Sequence, residues 1–268
     1  MFKKFLLAGS LLLAAGCTTV PITGRRQLSL VSDSEMNTLA VTQYKQTLGT
    51  AKLSTNAEQT AMVRRVGQRI AAAVEQYFKQ QGQSNQLEGY QWEFNLIDDP
   101  KTVNAWCMPG GKVAVYTGIL PLTQDETGLA VVMGHEISHA VAKHGSERMS
   151  DQLVVQLGGT ALQTALSQNP AKTTSLFNQA IGAGAGLAGQ GALLAFSRRQ
   201  ESEADHLGLI FMAMAGYNPA KAVPFWERMA AQSQSSTPEF LSDHPADATR
   251  IADIQRLLPE AQNYYKPR

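Results

Sequence analysis

The chain has 268 residues, of which 44% are hydrophobic, 17% charged and 7% aromatic, with a formal charge of +1. That apolar content supports a sizeable core and excludes a disordered chain, a collagen and a coiled-coil rod. The 23 Lys and Arg are balanced by 22 Asp and Glu without basic blocks, so there is no electrostatic footprint for nucleic acid and no polybasic membrane patch.

In chain order, Met1-Phe2-Lys3-Lys4 is a short basic start, Phe5 to Leu13 an apolar run, and Ala14-Ala15-Gly16 a set of small residues before Cys17. This is the pattern of a secretory signal, with an apolar stretch too short for the roughly 20 residues of a spanning helix. It resembles a bacterial lipoprotein processing site, which implies a signal peptide over residues 1–16 and lipidation of Cys17. Thr18 stands where an inner-membrane retention aspartate would be, so the same resemblance implies a periplasmic protein anchored to the outer membrane. Residues 17–31 are expected to be a lipidated N-terminus and tether, and residues 32–268 a single domain. With Cys17 acylated, Cys107 has no intrachain partner and is expected to be a small buried hydrophobe.

Apolar residues at three and four spacing predict helices over Ser34–Leu48 and Asn56–Phe78, the second through Met62, Val63, Val66, Ile70 and Val74. Tyr90–Ile97 alternates as a half-buried strand does, and Val103–Met108 and Lys112–Tyr116 give two more. Pro109-Gly110-Gly111 predicts that the last two form a hairpin. From Thr123 onward the reading is mostly helical, and the fold class is α+β, dominated by helices with a small sheet. Between Gln152 and Ser197 the only charged residue is Lys172, which predicts a buried helical hairpin or, alternatively, a gating flap.

His135-Glu136-Ile137-Ser138-His139 is an H-E-x-x-H, a pattern that this chain's histidine and glutamate content yields about 0.005 times by chance. At about 100° per residue, His135 and His139 project from one helix face and can grip one zinc ion, with Glu136 placed to polarise a water. His144 is expected to be a capping or surface histidine near the helix end. A catalytic zinc needs a third protein ligand. In Arg198-Arg199-Gln200-Glu201-Ser202-Glu203-Ala204-Asp205, Glu201 and Asp205 share a face while Glu203 points elsewhere. Glu201 is therefore assigned as the third ligand, and Asp205 as the acceptor for a ligand histidine's other N–H. His206 is expected to face away from the metal.

These residues resemble the gluzincin metallopeptidases that include the HtpX-like and CAAX prenyl proteases, and within them LoiP-type envelope lipoproteins and the BepA catalytic domain. The resemblance rests on the H-E-x-x-H, on Glu201 and Asp205, on Asn104-Ala105-Trp106 before Pro109-Gly110-Gly111, on Pro21-Ile22-Thr23-Gly24-Arg25-Arg26-Gln27-Leu28, and on His244-Pro245 with Arg250. It implies a zincin-like domain whose sheet lies beside the H-E-x-x-H helix, one Zn2+ per chain, and hydrolysis of peptide bonds. His244 is implied to approach the metal, either donating to the oxyanion or closing the site as a fourth ligand. Arg250 would stabilise the same charge or pair with a carboxylate. An exposed strand edge at Asn104, Ala105 and Trp106 would take the substrate backbone.

The implied function is zinc-dependent endoproteolysis of unfolded or misassembled outer-membrane proteins in envelope quality control. The alternative is a zinc-stabilised lipoprotein that binds or assembles partners with a latched, weakly active site. Glu136 discriminates between them, because a structural zinc has no need of it.

Overall fold

A computed structural model describes residues 17–157, 197–233, 238–244 and 248–267. The signal residues 1–16, nearly all of the charge-poor stretch and Pro245 lie outside the described residues.

The described residues open not on the expected tether but on a hairpin of β1 (Cys17–Thr19) and β2 (Arg26–Leu28), paired antiparallel. The correction has a packing cause. Val20 is buried, the Gln27 amide donates to Ala142 O at 2.8 Å, and Leu30 N donates to Ser150 Oγ at 2.9 Å, so the body of the protein supplies the partners that a tether would take from water.

Helix α1 (Asp33–Thr50) starts on a capping box of Ser32 with Glu35, and α2 (Ala57–Gln80) on Asn56, whose side chain accepts from Gln59 N. Strands β3 (Glu93–Ile97), β4 (Ala105–Met108) and β5 (Lys112–Tyr116) make a sheet in the order β3-β5-β4. The expected β4–β5 hairpin is present, turning on Gly110 and Gly111 at φ of 76° and 79°, a region where any Cβ is strained. β3 runs parallel to β5, a pairing that strand alternation does not specify. Val113 and Val115 join the core beside α2, whereas Ala114 and Tyr116 pack with Met36 and Tyr44 of α1. A strand covered on both faces reads as a continuous apolar run, and β5 is buried at every residue.

After the single turn α3 (Leu120–Thr123), α4 (Glu126–Val141) is capped by Asp125 and buried continuously from Gly128 to Val141. Lys143, at φ 59°, breaks the helix before α5 (His144–Leu157). Helix α6 (Arg198–Met214) begins on a capping box of Ser197 with Gln200. It crosses α4 where both helices carry glycine: a Cβ on Gly208 would stand 3.0 Å from His135 N, and one on Gly134 3.1 Å from Gly208 O. Only with two glycines do the backbones come this close, and that approach brings the first turns of α6 to the middle of α4. Helices α7 (Ala222–Ser233), α8 (Glu239–Asp243) and α9 (Ala248–Gln262) complete the order, placing Phe225, Trp226 and Phe240 in the larger core. Among the described residues no helix is long and apolar enough to cross a membrane.

Candidate metal centre

His135 and His139 lie one turn apart on α4, and their Nε2 atoms are 3.0 Å from each other. Glu201, in the first turn of α6, puts Oε2 at 3.4 Å from His135 Nε2 and Oε1 at 3.3 Å from His139 Nε2. His244 closes the end of α8 and adds Nδ1, 3.1 Å from His135 Nε2 and 2.9 Å from Glu201 Oε1. These four buried residues offer ligand atoms that all lie within 4.8 Å of one another. Zinc bonds of about 2.0–2.1 Å set tetrahedral donors about 3.3 Å apart, so the spacing fits zinc, as does a donor set of imidazoles and carboxylate.

Asp205 sits where its spacing from Glu201 predicts, with Oδ1 2.9 Å from His135 Nδ1. Arg250 donates to both oxygens of Asp205 at 2.8 Å, and its Nη1 is 2.9 Å from Glu201 Oε2. Its guanidinium lies 3.5 Å over the Trp226 ring. Of the two roles expected for Arg250, the structure shows the carboxylate pairing.

Burial opposes charge on Glu201, yet His244, Arg250 and His135 hold its pKa well below the usual carboxylate range. Burial likewise opposes the Asp205 charge, but Arg250 and His135 keep its pKa low. Burial pushes His139 well below the ordinary imidazole value, whereas at His135 burial is opposed by the Glu201 and Asp205 carboxylates, which together raise it. With the imidazoles neutral, as metal binding requires, two carboxylates against one guanidinium leave excess negative charge in a low-dielectric interior, which a divalent cation would offset. Glu136 follows His135 on α4, and its Oε1 is 3.4 Å from His244 Nε2.

Other expectations are corrected. His144 is 0% exposed, neither a cap nor a surface residue. The turn at Lys143 folds it back, so that its Nδ1 is 2.9 Å from His139 Nδ1. Glu203 points away from the donors as expected, but into a buried contact with His144 and Arg25 rather than into water. Asn104, Ala105 and Trp106 are 2%, 2% and 3% exposed and not an open platform. Trp106 packs edge-on to Tyr44, Asn104 Nδ2 donates to Glu239 Oε1 at 3.1 Å, and Phe240 N donates to Val103 O at 3.1 Å. The segment that carries His244 thus also closes over the start of β4. His206 faces Glu260 at 2.8 Å, away from the donors, and burial raises the Cys107 thiol pKa well above its ordinary value, as suits a core residue. Cys17 is exposed at the start of β1.

An H-E-x-x-H helix crossed by a glutamate helix, with an α+β body and a zinc-compatible donor set, defines a zincin-like metalloprotease domain. Residues 36–258 match Peptidase family M48, and the chain belongs to that family. Among its relatives, the Mitochondrial metalloendopeptidase OMA1 of Schizosaccharomyces pombe is 36% identical over 91% of this chain and 67% of its own length. The Homo sapiens Metalloendopeptidase OMA1, mitochondrial, is 29% identical over 90% of this chain and 46% of its own length. The Beta-barrel assembly-enhancing protease of Escherichia coli is 30% identical over 61% of this chain and 34% of its own length. The chain thus spans between a third and two thirds of the length of these relatives.

These relatives overturn the envelope assignment. The expected periplasmic, lipid-anchored outer-membrane protein acting on misassembled envelope proteins is corrected, because the relatives matched over nine tenths of the chain are mitochondrial metalloendopeptidases. Small residues before a cysteine are a short and common pattern, and a likeness over most of the chain outweighs it. The binding-module alternative is likewise not favoured.

Proposed function

We propose that the chain cuts internal peptide bonds at a zinc centre held by His135, His139 and Glu201, with His244 closing the site at rest. The observation that carries this reading is the convergence of four buried donors beside Glu136. Within the family, a likeness to HtpX-like and LoiP-type members rests on the motifs at His135–His139, Glu201–Asp205 and His244.

Zinc held there would supply Lewis acidity toward water and the scissile carbonyl. Glu136 takes the proton of the attacking water as the oxygen adds to the carbonyl carbon, then returns it to the amine nitrogen as the C–N bond breaks. Arg250 and Asp205 keep Glu201 and His135 in register. When His244 withdraws, the α8 segment that covers β4 withdraws with it. Tyr116 N donates to Asn104 O at 3.0 Å, so by antiparallel alternation the backbone of Ala105 and Cys107 faces the outer edge; an extended substrate strand would pair there on displacing the Asn104 side chain, whose Oδ1 accepts from Ala105 N at 2.8 Å. Access to water and access to substrate then share one moving part.

The test is cleavage of an unstructured polypeptide by zinc-loaded protein. Glu136→Gln should retain zinc and lose about 10²–10⁴-fold in turnover, whereas His244→Ala should turn over faster than the parent. A zinc-loaded Glu136→Gln that cuts at the parent's rate would remove the general base, and an unaccelerated His244→Ala would remove the latch.

A further inference from the structure

His139 has a second ring nitrogen, and what lies behind it is a continuous polar chain leading to the N-terminal hairpin. His139 Nδ1 is 2.9 Å from His144 Nδ1, His144 Nε2 is 2.9 Å from Glu203 Oε2, and Arg25 Nε donates to that same oxygen at 2.8 Å. The Thr23 hydroxyl donates to the other oxygen of Glu203. Arg25 is fixed in turn by Glu147, whose Oε1 and Oε2 accept from Nη1 and Nη2 at 2.6 and 2.8 Å, while the Gln200 amide donates to Glu147 at 2.7 Å. His144, Glu147, Gln200 and Glu203 are all buried.

One order of protons satisfies this chain. His139 Nε2 faces the donor set, so zinc takes that nitrogen and the ring proton resides on Nδ1. That N–H needs an acceptor, which leaves His144 Nδ1 bare and puts the His144 proton on Nε2, where the Glu203 carboxylate accepts it. We propose that His144, Glu203 and Arg25 are positioning residues that set the tautomer and ring orientation of His139 for zinc, with the N-terminal hairpin as their outer anchor. A cluster that merely fastened the hairpin would be served as well by apolar side chains, since buried ion pairs add little net stability. The directional run of nitrogens ending on a carboxylate is what ligand orientation requires. This inference rests on the zinc reading above, and its test reads zinc binding and protonation rather than turnover.

In the zinc-loaded chain labelled with 15N-histidine, long-range NMR correlations should show His139 protonated at Nδ1 and His144 at Nε2 only. A His144 proton on Nδ1, or on both nitrogens, overturns the proposal without any mutation. In competition with a chromophoric chelator, His144→Ala should weaken zinc binding about 10–100-fold, Glu203→Gln less, and Arg25→Ala least. The double variant His144→Ala/Glu203→Gln should bind no more weakly than His144→Ala, because both residues act through one chain. Lys52→Ala, at an exposed ion pair with Asp98, should bind as the parent does. Parent-like affinity in His144→Ala, or additive losses in the double variant, overturns the proposal. A parent chain that binds no zinc would instead sink the zinc reading, and this inference with it.

Discussion

The two histidines of the H-E-x-x-H helix are backed by chains of like composition and unlike reach. Behind His135 stands a carboxylate in direct contact, Asp205, gripped at both oxygens by Arg250 under the Trp226 ring. Behind His139 the carboxylate is one residue further out, with His144 interposed before Glu203 and Arg25. The first arrangement is built from α6 and α9 and is dry. The second reaches the hairpin at the protein's edge, where the Arg25 side chain keeps 11% of its surface exposed. The same demand, a carboxylate to fix a ligand tautomer, is met once by helix spacing and once by a relay between distant segments.

The largest test of this contrast is Asp205→Ala, which takes from Arg250 the carboxylate it grips with two nitrogens, leaving it Glu201 alone, and takes from His135 Nδ1 its partner. Breaking a buried ion pair costs about 3–5 kcal/mol, and denaturant unfolding of the zinc-free chain should show a loss of that order. Glu203→Ala should cost less, about 1–3 kcal/mol, because Arg25 keeps Glu147 and some water. Equal losses would break the distinction between a dry and an edge-reaching chain. Gly208→Ala probes both chains from the backbone side: its Cβ would stand 3.0 Å from His135 N. Forcing α6 away should cost about 1–3 kcal/mol and weaken zinc binding, because Glu201, Asp205 and Glu203 all lie on that helix.

The smallest effect belongs to an ion pair outside both chains, which calibrates them. Arg65 Nε donates to Glu126 at 2.9 Å at the start of α4, and this contact lowers the Glu126 pKa. A depressed carboxylate pKa means stability present above the unfolded-state value and lost as pH falls through the folded one. Glu126→Gln should therefore lower the melting temperature slightly at neutral pH. The difference should vanish in acid and shrink with salt; a difference that persists in acid would assign the effect to something other than charge.

How much of this the sequence carries follows the same division. His135, His139, Glu201 and Asp205 are legible because each pair is four residues apart on a helix, where spacing dictates a common face. The β4–β5 hairpin is legible because Pro-Gly-Gly has a backbone meaning. His144 is misread because continuing the helix turns it away from His139, whereas the positive φ of Lys143 brings it back, and nothing in Ala142-Lys143 signals that turn. Glu203 is read correctly as facing away from the donors, but its partners come from far along the chain and have no periodicity to announce them. Arg25 lies within a stretch that the family likeness singles out, Pro21 to Leu28, yet likeness alone gives it no chemistry. Trp106 is expected at an open edge, and its burial comes from α1 and α5, whose packing no local pattern encodes.

The donors arise at positions 135, 139, 201 and 244, with Arg250 later still. During synthesis, a ribosome that has released the H-E-x-x-H helix has made only two of them, too few to hold a metal in water. On the zinc reading proposed above, the set of three ligands is complete only once Glu201 exists, after most of the core sequence. His244 follows a short stretch of translation later, so the order of residues along the polypeptide is itself a timetable for assembling the site.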